Sequence, residues 1–146
     1  MLKIVFKICC GIDVHKDFVV ACIAKTDDKN VTTYQTKRFS TFTNGLRELS
    51  EWLCSNSCKD VCMESTGKYW YPVFNILEDS CKVIVAHPKY VKAIRGKKTD
   101  KKDAKWIADL FKHDLVVSSF IPDRCIRQLR DLCRYYCKLC LLYTSP

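Results

Sequence analysis

Apolar residues in the first forty positions recur with the spacing of β-strands. Segments 4–14 and 18–24 are rich in apolar and β-branched residues, and segment 31–39 alternates polar with apolar positions. Short polar connections, such as the turn at 27–30, join these segments. The pattern therefore predicts three strands arranged as an antiparallel meander.

Beyond residue 42 the apolar spacing changes to that of helices alternating with short strands. Buried strands are predicted at 61–64 and 82–86, and helices at 43–53 with Thr43 as N-cap, 69–77, 88–94, 100–112 and 123–142, with a loop at 96–99. The main order is β-β-β-α-β-α-β-α, followed by one long C-terminal helix. It predicts an α/β protein with a mixed sheet and matches the ribonuclease H-like fold.

Composition limits the class of protein. The chain has 146 residues, 48% of them hydrophobic, with 4 Gly and 4 Pro, which excludes a disordered or collagen-like chain. No apolar run approaches the roughly 20 residues of a membrane helix. Lys3 and Lys7 interrupt the first apolar stretch, unlike a signal peptide. We therefore expect a cytoplasmic protein.

The 11 cysteines are an odd number, and most have apolar neighbours. A disulfide framework is not expected without a secretion signal. Zinc is the alternative, because close spacing occurs in two groups: Cys54, Cys58 and Cys62, and Cys133, Cys137 and Cys140. Neither group has the paired C-x2-C pattern typical of zinc sites, so we interpret the cysteines as small buried hydrophobic residues.

Positive charge is concentrated in one segment. The net charge is +9, and eight basic residues fall between His87 and Trp106, interleaved with aromatic side chains. They are Lys89, Lys92, Arg95, Lys97, Lys98, Lys101, Lys102 and Lys105. Such a segment suits phosphate neutralisation with base stacking, as in nucleic-acid binding, although a solvated basic face is the alternative.

Four carboxylates are candidates for a catalytic or metal site. Asp13 shares a strand face with Gly11 and His15, and Glu64 ends a predicted strand. Asp100 and Asp103 begin a helix three residues apart, where capping is the alternative role. If the fold brings these acids together, their repulsion requires cations, and two magnesium ions suit a phosphodiester displacement. We interpret His15 as a structural residue that packs near the site, and assistance to the metal site is the alternative.

Four short motifs, taken together, resemble the DEDD transposases. The segments are Gly11–Lys16 (GIDVHK), Met63–Gly67 (MESTG), Ala86–Pro88 (AHP) and Lys98–Ala104 (KTDKKDA). The resemblance implies a RuvC-like catalytic domain over 1–122, with Asp13, Glu64, Asp100 and Asp103 as a tetrad holding two Mg²⁺ or Mn²⁺ ions. It also implies DNA transposition guided by a structured RNA.

The resemblance departs from the family pattern at the C-terminus. Segment 123–146 resembles the start of a coiled coil, which the family continues into a second domain with a nucleophilic serine. Nothing identifies Ser145 as that serine, so we expect a truncated chain that is inactive alone. The final helix is expected to expose apolar surface and to support homo-oligomers.

Three other functions fit parts of the sequence. A stand-alone RuvC-like nuclease would cleave branched DNA without a second domain. A non-catalytic nucleic-acid-binding remnant would bind without magnesium and without the four acids. Residues 11–14 also resemble the first phosphate motif of actin-like kinases, but 146 residues are too few for the two domains those need.

Overall fold

One mixed sheet of five strands forms the centre of the protein. The computed structural model describes residues 3–64, 67–87 and 100–144, with side chains in the last range from residue 103 onward. The strands are β1 (Ile8–Val14), β2 (Phe18–Thr26), β3 (Thr32–Ser40), β4 (Asp60–Glu64) and β5 (Lys82–Ala86), in the order β3-β2-β1-β4-β5. β1, β2 and β3 pair antiparallel, whereas β4 and β5 extend the sheet in parallel from β1. The predicted meander and mixed sheet are confirmed.

The described helices follow the predicted apolar stripes. They are α1 (Thr43–Ser55), α2 (Trp70–Leu77), α3 (Asp100–Lys112) and the long C-terminal α4 (Arg124–Thr144). The order β-β-β-α-β-α-β-α with a long final helix is therefore confirmed. The predicted helix at 88–94 and loop at 96–99 lie outside the described residues.

The two faces of the sheet are covered by different helices. Leu46 and Leu49 of α1 and Leu77 of α2 pack on the face that carries Ile12 and Met63. On the opposite face α3 packs against the small residues of the sheet, with Cys9, Cys62, Ile107, Ala108 and Phe111 in one cluster. Residues of odd number in β1 and of even number in β4 therefore face α3.

Two local predictions were wrong. The strand predicted from Ile4 begins at Ile8, because the backbone N–H groups of Val5 and Phe6 donate instead to the carbonyl of Lys112 at the end of α3. Thr43 is not the N-cap of α1. Phe42 occupies that position with no side-chain capping bond, so α1 begins at Thr43 itself.

The cysteines are distributed over two environments. All 11 are free thiols, and six of them are buried: Cys9, Cys10, Cys22, Cys58, Cys62 and Cys81. The other five are exposed, four of them on α4, so the interpretation as buried hydrophobic residues was wrong for those five.

None of the described helices is long and apolar enough to cross a membrane.

Candidate active site

Two buried carboxylates are neighbours at the carboxyl edge of the parallel strands. The β1–β4 pairing ends with Ile12 opposite Met63, so the next positions on the two strands are Asp13 and Glu64. Strand alternation turns both side chains towards the α3 face. Asp13 is 6% exposed and Glu64 9% exposed. The sheet therefore holds two largely desolvated acids side by side.

Gly11 sets the position of α3 above these acids. A Cβ at Gly11 would lie 2.5 Å from the carbonyl oxygen of Ala104 and closer still to the backbone nitrogen of Ala108. Only a residue without a side chain permits this approach of helix to sheet. The glycine of the GIDVHK motif thus serves packing at this position.

α3 runs antiparallel to β1, which directs its N-terminal end towards Asp13. Phe111 near the end of α3 stacks on Phe6, with 4.5 Å between ring centroids, while Ala104 lies over Gly11. One helical turn before Ala104 is Asp100, and Asp103 directly precedes it. Asp103 is half-buried, and the side chain of Asp100 lies outside the described residues.

His15 contacts Asp13 directly. Its Nε2 lies 2.9 Å from Asp13 Oδ2, a hydrogen bond whose donor depends on the tautomer of the ring. The imidazole also stacks on Phe18, with 4.5 Å between ring centroids. His15 therefore packs on Phe18 and holds one oxygen of Asp13 through a hydrogen bond.

Arg38 of β3 is a cation near the site that the sequence reasoning missed. It pairs across the sheet with Val20, which in turn pairs with Asp13, so Arg38 and Asp13 belong to one cross-strand row. Its guanidinium carbon lies 3.7 Å from the centroid of the Phe18 ring. The register of the predicted meander could have identified Arg38, because the row follows from pairing the three strands in order.

The acids suit a hard divalent cation, because Mg²⁺ and Mn²⁺ favour carboxylate oxygens. A cation bound between two adjacent carboxylates also offsets the repulsion between their charges. Among the side chains that the structure describes, no three of His, Cys, Asp or Glu form a group able to hold a metal ion. The described part of the site is therefore the pair Asp13 and Glu64, with Asp103 on the helix that covers them.

Most of the basic segment lies outside the described residues. This applies to Lys89, Lys92, Arg95, Lys97 and Lys98, and to the side chains of Lys101 and Lys102. Lys105 is exposed on α3, with its Nζ 4.4 Å from the centroid of the Tyr34 ring on β3. Its charge lies on the same side of the sheet as the two buried acids.

Comparisons with known proteins agree with this architecture. The family DEDD_Tnp_IS110, described as a transposase, matches residues 10–144. The structure of Thermus thermophilus RuvC is similar with a TM-score of 0.50 and 13% identity, over 69% of this chain and 90% of that one. A fowlpox virus resolvase, solved with Holliday junction DNA, has a TM-score of 0.44 and 20% identity. That match covers 71% of this chain and 72% of the resolvase. Comparison with curated proteins gives no significant sequence match.

Proposed function

The chain belongs to the IS110-type DEDD transposase family, and we propose that it contains the catalytic domain that cleaves and transfers DNA strands during transposition. The proposed tetrad is Asp13, Glu64, Asp100 and Asp103, which would hold two Mg²⁺ or Mn²⁺ ions. The ions would stabilise charge on the attacking and leaving oxygens of a phosphodiester.

The observation that carries this proposal is the burial of Asp13 beside Glu64 at the carboxyl edge of the sheet. These adjacent acids lie where ligands bind in sheets with parallel strands, and a bound cation would offset part of the cost of burying their charges. The proposed role of the acids is to bind the cations and orient them towards the phosphodiester. His15 would hold Asp13 in one orientation through the 2.9 Å contact between the two side chains.

The proposed partners follow from the charge of the chain. Its net charge of +9 favours a polyanion, and the family assignment favours DNA. We extend the proposal to a structured guide RNA, to a cytoplasmic location with these nucleic acids, and to homo-oligomers formed through α4. Support for the last is the exposure of Leu132, Tyr136 and Leu142 on that helix.

The basic segment has a proposed role beside this site. Its eight lysines and arginines would contact the phosphate backbone of DNA or guide RNA: Lys89, Lys92, Arg95, Lys97, Lys98, Lys101, Lys102 and Lys105. Support comes from the density of positive charge in the sequence and from the exposure of Lys105 on the side of the sheet that carries the acids.

The test is thermal unfolding of the full chain against rising Mg²⁺ or Mn²⁺. A cation that binds only the folded state raises its stability, by about 2.7 kcal/mol at a hundredfold excess over Kd. We expect the wild type to show this rise. Asp13→Asn, Glu64→Gln and Asp103→Asn should each remove most of it, because each removes one carboxylate of the proposed cation site.

Asp28→Asn is the matched control. This acid is fully exposed and forms an ion pair with Lys7 near the start of the sheet, so its loss should leave the metal response intact. An equal metal response in the site variants and the wild type would refute the proposed site. DNA binding that ignores both the metal and the acids would instead support a non-catalytic nucleic-acid-binding protein.

A further inference from the structure

A second charged surface lies between α2 and α4, on the side of the sheet away from α3. There the first turn of α2 and one side of α4 enclose a groove of about 580 Å³. Its lining combines cations with aromatic rings: Lys68, Arg134 and Lys138, and Trp70, Tyr71 and Tyr135. None of these residues belongs to the basic segment considered above.

The chemistry of this groove is that of a site for nucleic-acid strands. Three cations line it against one carboxylate, Asp131, which accepts a hydrogen bond from the Tyr71 hydroxyl at 2.9 Å. Tyr135 is 63% exposed, so its ring can stack on a base. Stacking on aromatic rings beside phosphate-binding cations is the common mode of binding unpaired strands.

The groove begins close to the candidate active site. Lys68 and Gly67 follow Glu64 by four and three residues, and three residues span at most about 11 Å when extended. Glu64 ends β4 at the carboxyl edge of the sheet, where α2 also starts. A strand that crosses this edge of the sheet from the candidate active site therefore reaches the end of the groove that Gly67 and Lys68 line.

We propose that the α2–α4 groove binds an unpaired DNA strand that extends from the active site. This inference rests on the proposed function, because DNA cleavage at the active site would supply the unpaired strand. It adds the route by which that strand leaves the active site. Lys68, Arg134 and Lys138 contact successive phosphates, and the exposed ring of Tyr135 stacks on a base. Duplex DNA offers no free base face for this stacking and binds there less well.

The experiment measures fluorescence anisotropy of a labelled 12-nucleotide oligothymidylate with the full chain, without metal, over a range of salt concentrations. The groove variant Lys68→Gln/Arg134→Gln/Lys138→Gln should lose at least roughly tenfold in affinity. Its salt dependence should fall by about 2 in log–log slope, since each lost single-strand phosphate contact contributes roughly 0.7. Tyr135→Ala should lose roughly tenfold with an unchanged slope.

A charge-matched control is Lys29→Gln/Lys59→Gln/Lys82→Gln. All three lysines are exposed. The Lys82 N–H donates to the Lys59 carbonyl where β4 and β5 begin, and Lys29 lies in the turn after β2, also at the amino edge. This variant should keep its affinity for the oligothymidylate. Thermal unfolding of every variant verifies that the fold is retained.

The outcomes separate the groove from the active site. Asp13→Asn/Glu64→Gln should bind the strand while losing the metal response, and the groove variant should do the reverse. The inference is overturned if groove and control variants lose affinity equally, which indicates net charge alone. It is also overturned if duplex DNA or oligouridylate binds the groove more tightly, or if the groove variant changes only the oligomeric state.

Discussion

At the scale of single residues, Gly11 determines how closely α3 covers the sheet. The backbones of Ala104 and Ala108 occupy the space where its side chain would be. Because these contacts are with backbone atoms, no rotamer change can relieve them. Any side chain at residue 11 must push away the helix that carries Asp100 and Asp103.

Gly11→Ala should therefore destabilise the protein by about 1–3 kcal/mol, the usual cost of overpacking a core. Urea unfolding followed by circular dichroism measures the loss. The metal response should weaken as well, since the helix moves relative to Asp13. Gly67→Asn is the control, because Asn tolerates the φ of +57° there and a Cβ would meet no atom nearer than 3.9 Å. Equal losses in the two variants would contradict this account of Gly11.

At the scale of elements, Arg127 joins the long helix α4 to the rest of the protein. The residue is 4% exposed, and Nη2 donates to Glu78 Oε1 at 2.7 Å and to Asn75 Oδ1 at 2.9 Å. Nη1 donates to the Pro122 carbonyl at 3.0 Å. The guanidinium also lies 4.8 Å from the centroid of the Phe74 ring. Arg127 is thus the buried contact between α4 and α2, and the exposed contacts of Arg124 with Glu78 and Asp79 add to it.

Arg127→Leu should cost about 3 kcal/mol, the lower end for breaking a buried ion pair, because Glu78 keeps its contact with Arg124. The first turns of α4 should lose protection from hydrogen exchange while the strands keep theirs. Arg127→Lys should recover little, since an ammonium lacks the planar fork. Arg130→Leu, an exposed change on the same helix, is the control. Unchanged protection of α4 in Arg127→Leu would refute this role.

The sequence predicted whole elements better than their ends or their contacts. Apolar stripes of helical period sufficed for the helices α1 to α4, because burial on one face imposes that period. Short apolar runs sufficed for β1, β2 and β4, which are buried on both faces. The start of β1 was missed since pairing of Val5 and Phe6 with α3 is a tertiary effect. The adjacency of Asp13 and Glu64 depends on strand order, which the fold class supplied.

Other features of the site could not be predicted without the register. Arg38 joins the site row only through two successive strand pairings. The contact of His15 with Asp13 depends on a side-chain rotamer, which the spacing of residues along the sequence does not determine. The α2–α4 groove requires the direction of α4, which Arg127 and its buried contacts determine.

At the scale of the whole molecule, burial of thiols on both faces of the sheet couples folding to alkaline pH. Burial raises the pKa of Cys9, Cys58 and Cys62 from 9.0 to about 12. Desolvation also raises the pKa of Cys10 well above its usual value. In the unfolded chain the same thiols ionise near pH 9. Between pH 9 and 12 the folded state therefore binds more protons than the unfolded state.

The contribution of these thiols to the free energy of unfolding should accordingly be constant below pH 9 and fall as pH rises from 9 towards 12. Each such thiol contributes up to about 1.4 kcal/mol per pH unit. Urea midpoints at pH 7.5, 9.0 and 10.5 measure the slope. Lysines and tyrosines also titrate in this pH range, so the decisive comparison is with Cys62→Ala. This variant should reduce the slope of stability against pH by the contribution of one thiol. Cys54→Ala, at an exposed position, should leave it as in the wild type. Equal slopes in the two variants would show that the Cys62 thiol is not coupled to folding.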